Sequence, residues 1–139
     1  MNCDYFLVQF EIIAEYLRRA KSLAQRDKEA FLKDKILVDA GTREITVLFE
    51  TRHNIAKHLI SEKQWRAAHS KAEAFEVLAE NSVIDPELAD SLCQASRFRN
   101  LVTYQTARVD DHAVYEILVR HIDDFEQFAA QAARWRQDQ

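Results

Sequence analysis

Apolar residues recur every three or four positions along most of the chain, which is the spacing of one buried face of an α-helix. The first such stripe consists of Phe6, Phe10, Ile13, Leu17 and Ala20. It predicts a helix of roughly six turns or fewer that ends near Gln25. The polar stretch RDKEAFLKDK follows, and we interpret it as a connection with room for a short helix.

A second periodic run predicts a long helix after this connection. Its apolar positions are Ile45, Leu48, Phe49, Ile55, Ala56, Leu59 and Ile60. Gly41 weakens this helix locally, because glycine costs about 1 kcal/mol relative to alanine in a helix interior. The apolar surface is broader than a single core stripe needs, which favours pairing with a second copy of the chain. The stretch SEKQWRAAH then predicts a loop.

Three later helices have recognisable start signals. Ser70 and Glu73 form a capping-box pattern, and Asp85 precedes a proline at the first helical position. The helix after Asp85 carries a stripe of Leu88, Leu92, Ala95 and Phe98. Asp110 or Asp111 is expected to cap the last helix. Its stripe consists of Val114, Ile117, Leu118, His121, Ile122, Phe125, Phe128 and Trp135.

The composition supports an all-α fold. The chain has one glycine and one proline in 139 residues, whereas folds built from strands and tight turns need many of both. No repeat or linker divides the sequence. We therefore predict one domain, residues 1–139, folded as an up-and-down antiparallel bundle of four main helices or slightly more.

Charge and cysteine content indicate which ligands and which cellular compartment to expect. A net charge of −4 argues against capture of nucleic acid by bulk charge, although Arg97, Arg99 and Arg108 form a candidate local basic cluster. Cys3 and Cys93 lack metal-binding or disulfide spacing, so we expect free thiols in a reducing cytoplasm. The sequence shows neither a signal peptide nor an apolar run that could span a membrane.

Several kinds of site are excluded or disfavoured. The chain lacks a glycine-rich loop for a phosphate, and it lacks an HExxH pair. His53 and His58 are five residues apart and should point to different faces of one helix, which is poor geometry for sharing a metal. For these two, His69, His112 and His121 we expect surface or partly buried structural roles. The sequence therefore predicts no metal and no cofactor.

One stretch carries a resemblance to a known family. RFRNLVTYQTARVDDHAVYEIL resembles the signature region of the HepT-like branch of the HEPN domains, and NIAKHLISEKQW resembles an upstream segment of the same family. The similarity covers roughly Val38 to Leu118, with its blocks in the family's order.

The resemblance implies a helical bundle that forms a two-fold homodimer, in which the motifs of two chains face one another. Active members are metal-independent endoribonucleases that act as toxins of toxin–antitoxin pairs. Their partner is a minimal nucleotidyltransferase antitoxin (MntA-like), which neutralises them by adenylylating the motif tyrosine. In such members the motif arginine steadies the scissile phosphate, and the histidine acts as acid and base while the ribose 2′-hydroxyl attacks.

Carried over residue by residue, the motif is only partly retained. Arg99 stands at the arginine position and Asn100 at the polar position beside it, which orients the site. Tyr104 stands at the histidine position, and Thr106 at the position of the modified tyrosine.

The upstream segment has changed as well. Asn54 replaces the family's acidic residue, Lys57 replaces an asparagine, and His58 keeps the family's histidine. We expect His58 to pack inside the bundle, and His112 to be exposed at the start of the last helix.

The exchange at position 104 bears directly on activity. Tyrosine titrates near pH ~10, so it is a poor base at neutral pH, where imidazole works unaided. Loss of an acid/base group costs about 10²–10⁴ in rate. We therefore predict weak or absent nuclease activity, with binding of the nucleotidyltransferase and of RNA as the retained functions. Two alternatives stay open: an active nuclease that combines Arg99 with Tyr104 or His112, and a non-catalytic dimerisation bundle.

Overall fold

The computed structural model describes residues 3–103 and 110–139, and the side chains of 5–95 and 110–139. Within these ranges the regular structure consists of seven helices. They are α1 (Cys3–Ala24), α2 (Lys28–Lys33), α3 (Lys35–Lys63), α4 (Lys71–Glu80), α5 (Pro86–Thr103), α6 (Asp111–Arg120) and α7 (Ile122–Gln137). The predicted all-α class is confirmed.

Helix α3 is the central element of the bundle. It is 29 residues long and packs against all six other helices. All seven apolar positions predicted for it are buried within this one chain. The breadth of its apolar surface is therefore used by packing inside the chain, and it gives no support to pairing of two copies.

The other helices run along α3 in defined directions. The Phe49 ring packs edge-on against Phe125 at 5.2 Å, and Trp65 packs against Trp135 at 5.6 Å, so α7 runs parallel to the second half of α3. Helices α4 and α5 form an antiparallel hairpin. Near the start of α3, Gly41 lies so close to α6 that an added Cβ would be 3.1 Å from the Val114 side chain.

The predicted start signals are confirmed by hydrogen bonds. Ser70 Oγ and Asp85 Oδ1 accept from the backbone N–H three residues later, at 3.0 and 2.8 Å. Asp110 Oδ1 does the same at 3.1 Å, which decides between the two candidate caps. The Glu73 carboxylate accepts from the backbone N–H of His69, one residue before the cap. These local contacts satisfy N–H groups that a helix start leaves without partners.

Two boundaries differ from the prediction. The expected single last helix is two helices, α6 and α7, which meet at His121. The His121 N–H still donates to the Ile117 carbonyl at 2.9 Å, as in an α-helix, whereas the His121 carbonyl accepts from the Asp124 N–H, three residues later, at 3.2 Å. The predicted loop SEKQWRAAH begins later than expected, because α3 continues to Lys63 and ends at Gln64 in a left-handed conformation with φ of 57°.

The core contains one charged residue that the apolar pattern does not reveal. Arg52 is 1% exposed, and its guanidinium carbon lies 4.2 Å from the Phe125 ring centre and 5.1 Å from those of Phe49 and Phe75. Burial lowers the pKa of Arg52 to about 9, with Asp124 acting in the opposite direction. The bundle therefore encloses a cation mainly with aromatic faces.

The structure also bears on membranes and metals. None of the helices formed by residues 3–103 and 110–139 combines the length and apolarity needed to cross a bilayer. Among the same residues, no group of three or more histidine, cysteine and acidic side chains could hold a metal ion. Cys93 is a free thiol.

Candidate functional site

The predicted site residues lie at the carboxyl end of α5 and directly after it. The backbone of Arg99 and Asn100 belongs to the last part of α5, which ends at Thr103. Their side chains lie outside the described residues, as do Tyr104 and Thr106 altogether. The side chains of Arg97 and Arg108 also fall outside them, so the roles predicted for this cluster stay predictions.

The position of α5 is fixed by contacts upstream of the motif. Leu88 and Leu92 are buried in the core, and the Cys93 thiol donates to the carbonyl of Ala72 on α4 at 3.3 Å. Because α5 starts beside the end of α4 and runs back along it, Cys93 lies level with the beginning of α4. The part of α5 that carries Arg99 therefore extends past the amino end of α4, by about 9 Å at position 99.

The far end of the motif segment is held by α6. Asp110 caps this helix, and Asp111 forms an ion pair of 2.9 Å with Lys35 at the start of α3. Residues 104–109 thus connect the end of α5 with a helix start beside the first turn of α3. His112 follows in the first turn of α6 and is exposed, as predicted.

Two residues in the upstream segment of the family pattern, His58 and Lys57, have different surroundings. His58 is half-buried and stacks on Tyr5 of α1, with ring centres 3.9 Å apart, and its Nδ1 lies 3.3 Å from the Asn54 carbonyl oxygen. It packs inside the bundle, as predicted. Lys57, one residue earlier, is exposed. The structure therefore places the two predicted secondary histidines, His58 and His112, in different parts of the bundle.

A groove lies beside the second half of α3, where sequence reasoning placed no site. It has a volume of about 520 Å³ and is enclosed by α3, the connection of residues 64–70 and the first turn of α4. Its chemically distinctive lining residues are His53, Lys57, Gln64, Trp65, His69 and Lys71. We call it the basic groove. The described residues that line it include no aspartate or glutamate.

Glu73, which contacts the groove residue His69, is paired with an arginine. The Glu73 carboxylate pairs with Arg66 at 2.7 Å, and this hydrogen bond holds the pKa of Glu73 below its ordinary value. Arg66 also binds Glu80, at 2.8 Å. Arg66 therefore partly neutralises the charge of Glu73, which weakens its electrostatic effect on His69. The described lining of the groove thus carries two lysines and two histidines, on a chain whose net charge is −4.

A signal for this groove was present in the sequence. His53, Lys57, Ser61 and Gln64 follow one another at intervals of four, four and three residues, which is a polar stripe along one helix face. The sequence alone predicts structural or surface roles for His53 and His69, and it singles out Lys57 only through its place in the family pattern. The return of the 64–70 connection over α3 is what makes this stripe one wall of a groove.

Comparisons with known proteins agree on one family. The family model described as ribonuclease HepT-like matches residues 13–132. The curated mRNA nuclease HepT of Shewanella oneidensis is 28% identical over 102 residues, which covers 73% of this chain and 77% of the relative.

Solved structures give the same result for the fold. A tri-AMPylated HEPN toxin of Shewanella oneidensis, solved in complex with MNT antitoxin, superposes with a TM-score of 0.83 at 25% identity. The match covers 96% of this chain and 99% of that one. A toxin–antitoxin crystal structure with AMP-PNP gives a TM-score of 0.81 at 25% identity, over 95% and 99% of the two chains.

Proposed function

The chain belongs to the HepT-like ribonuclease family, and on this premise we propose that it is the toxin-type component of a cytoplasmic toxin–antitoxin module, with little or no nuclease activity of its own. The match to the family model over residues 13–132 supports the first part, together with a relative named as an mRNA nuclease. The second part rests on one observation, the tyrosine at position 104 where the family has its histidine.

The retained half of the motif suits phosphate binding without cleavage. Arg99 offers a permanently charged guanidinium that can bind a phosphate through two parallel hydrogen bonds, and Asn100 can orient it. Tyr104 can donate a hydrogen bond or stack on a base. A phenol has a high pKa and stays protonated at neutral pH, so it is a slow proton acceptor. The site therefore binds RNA at a phosphate while lacking the group that would activate the 2′-hydroxyl.

The partner in this proposal is a minimal nucleotidyltransferase, and the chain acts as a homodimer. Support comes from the similar solved structure, in which a HEPN toxin is held by an MNT antitoxin. The family's two-fold arrangement would bring two copies of Arg99 to one cleft. Thr106 stands where the modified tyrosine would be, so the hydroxyls of Thr106 and Tyr104 are the acceptors left for a transferred nucleotide.

Growth on expression tests the nuclease part. We expect cells that express the intact chain without a partner to grow normally, and Arg99→Ala to make no difference. Arg43→Ala, which removes an exposed arginine of α3, is the control for loss of one charge. Growth arrest by the intact chain that Arg99→Ala abolishes and Arg43→Ala leaves intact would show an active toxin and contradict the proposal.

Restoring the family pattern is the complementary test. Tyr104→His together with Thr106→Tyr should raise RNA cleavage by about 10²–10⁴, because imidazole supplies the missing acid/base group. Adding Arg99→Ala to this double variant should remove the gain, since the phosphate would lose its clamp. Purified protein and labelled RNA on a denaturing gel give the measurement. A double variant that cleaves no faster than the natural chain would show that position 104 is not the cause.

A second candidate is an active nuclease that uses His112. This histidine is exposed in the first turn of α6, immediately after the motif segment, and so it is available to a bound strand. In that case the natural chain would cleave RNA, and His112→Ala would abolish cleavage as completely as Arg99→Ala. A non-catalytic dimerisation bundle would instead show neither RNA binding nor cleavage, and would retain only its self-association.

A further inference from the structure

The basic groove has the charge that a nucleic acid backbone requires. Lys57 and Lys71 stand on its opposite walls, one on α3 and one at the first position of α4, and both are exposed. His53 and His69 add imidazole N–H groups, and Gln64 adds an amide. Phosphates are bound by such donors, and single-stranded nucleic acids follow positively charged grooves.

The same groove also offers a flat apolar surface. Trp65 lines it and is held in place by edge-on packing against Trp135, with ring planes 68° apart. Ile60 and Ala68 are further apolar lining residues. A nucleotide needs both elements, a cation for its phosphate and an aromatic or apolar face for its base. An acidic peptide would use the lysines but would leave the indole without a matching partner.

The position of the groove links it to the candidate site. Its α4 wall begins at Ser70 and Lys71, and α5 passes this level at Cys93 before continuing toward Arg99. Along α3 the groove extends from His53 to Gln64, which is roughly 16 Å of helix. The backbone at position 99 therefore lies about 9 Å beyond the level at which the α4 wall of the groove begins.

We propose that the basic groove is a binding site for single-stranded RNA, in which Lys57 and Lys71 hold phosphates and Trp65 contacts a base. It runs along α3 from His53 to Gln64. The inference rests on the proposed RNA interaction and deepens it, because it assigns the strand a path over residues outside the stretch that holds Arg99 and Tyr104.

Binding of a short fluorescein-labelled oligouridylate, followed by fluorescence anisotropy, tests this assignment. The double variant Lys57→Gln and Lys71→Gln should bind roughly 10-fold more weakly or worse. The dependence of log affinity on log salt concentration should fall by about 1.4, since each phosphate contact on a single strand contributes about 0.7. The control is Lys28→Gln with Lys33→Gln, which removes the same charge from exposed positions of α2. Its affinity should stay within about twofold of the natural chain.

The base contact has its own measurement. Trp65 and Trp135 are the only tryptophans of the chain, so Trp135→Phe leaves Trp65 as the single indole. Oligouridylate should quench its fluorescence, and the lysine double variant should need correspondingly more RNA for the same quenching. AMP and inorganic phosphate serve as separate titrants. They should bind much more weakly than the strand, because they fill only a fraction of the groove.

Each outcome separates this inference from the function it rests on. If the natural chain binds no RNA, the proposed RNA interaction is wrong and the inference falls with it. If the natural chain binds RNA and the two lysine variants behave alike, only the groove assignment is wrong. Oligoglutamate that competes as well as oligouridylate would also overturn the assignment, since the groove would then select anions and not RNA.

Discussion

Arg52 is a charged residue that is fully buried in the core, where arginine is rarely found. Its guanidinium is enclosed by the rings of Phe49, Phe75 and Phe125, and its Nε and Nη1 have no hydrogen-bond partner among the described residues. Cation–π contacts contribute about 0.5–2 kcal/mol each, whereas burying a charge costs on the order of several kcal/mol. Burial outweighs these contacts, because it lowers the pKa of Arg52, and the charge is therefore a net cost to the folded state.

We predict that Arg52→Met raises the free energy of unfolding by about 1–4 kcal/mol at neutral pH, because a flexible apolar side chain fills the same space without a charge. Urea unfolding measures the change. Arg52→Lys keeps the charge in a shape that stacks less well on rings, and should be less stable than the natural chain. A Met variant that loses stability instead would show that the guanidinium makes a compensating contact.

The pH dependence of this effect has a defined sign. The pKa of Arg52 in the folded chain, about 9, lies well below that of an ordinary arginine, so the unfolded chain holds more protons between the two values. The penalty is therefore complete below pH about 9 and is relieved as the pH rises through the window. We expect the stability advantage of Arg52→Met to shrink above pH 9, measured as the difference between the two urea curves. An advantage that stays constant would contradict the lowered pKa.

At the scale of elements, the starts of α4, α5 and α6 were predictable, whereas several helix ends and the start of α7 were not. Ser70, Asp85 and Asp110 act through side-chain oxygens three residues from their partners, so the signal is contained in the local sequence. The end of α6 at His121 has no such signal, because the apolar stripe continues across it into α7. The turns at Gln64 and Ser82 are left-handed, with φ of 57° and 63°, without the glycine that usually marks this conformation.

Gly41 lies inside a helix, where glycine has a low propensity, and close packing between helices explains why a residue without a side chain fits there. A Cβ at this position would lie 3.2 Å from both the Leu118 and the Phe31 side chains, so a larger residue would crowd the contacts of α3 with α2 and α6. Gly41→Ala should change the free energy of unfolding by no more than about 1 kcal/mol, because better helix propensity offsets mild crowding. Gly41→Val should cost more than about 2 kcal/mol.

Thermal and urea unfolding of these variants give the measurement. Ala40→Gly is the matched control for propensity, since it changes the neighbouring position in the opposite sense and should cost about 1 kcal/mol. A valine variant as stable as the natural chain would mean that α6 can move away from α3 without loss.

At the scale of the whole molecule, the sequence predicted the fold class and the family but not the distribution of surfaces. The family motif gave Arg99 and its neighbours, since these follow one another along the chain. The basic groove is lined by His53 of α3, His69 of the connection between α3 and α4, and Lys71 of α4. These residues come together only because of the path that residues 64–70 take. The broad apolar surface of α3 suggested pairing, because the number of helices that pack around it could not be read from its own pattern.

The contact between the first and last helices has a consequence for the order of elements along the chain. The Arg136 guanidinium lies 3.8 Å from the centre of the Phe6 ring, and at the other end of the same two helices Lys21 pairs with Glu126. Helices α1 and α7 are thus antiparallel neighbours, and a short flexible glycine–serine linker can join residues next to Phe6 and Arg136.

A circular permutant made in this way, with new ends opened at Ser82 between α4 and α5, should keep the helix content of the natural chain by circular dichroism. It should also unfold cooperatively in urea, because every packed pair of helices is retained. Loss of cooperative unfolding would mean that the α4–α5 hairpin must stay covalently closed. The permutant would separate the arrangement of the bundle in space from the order in which it is synthesised.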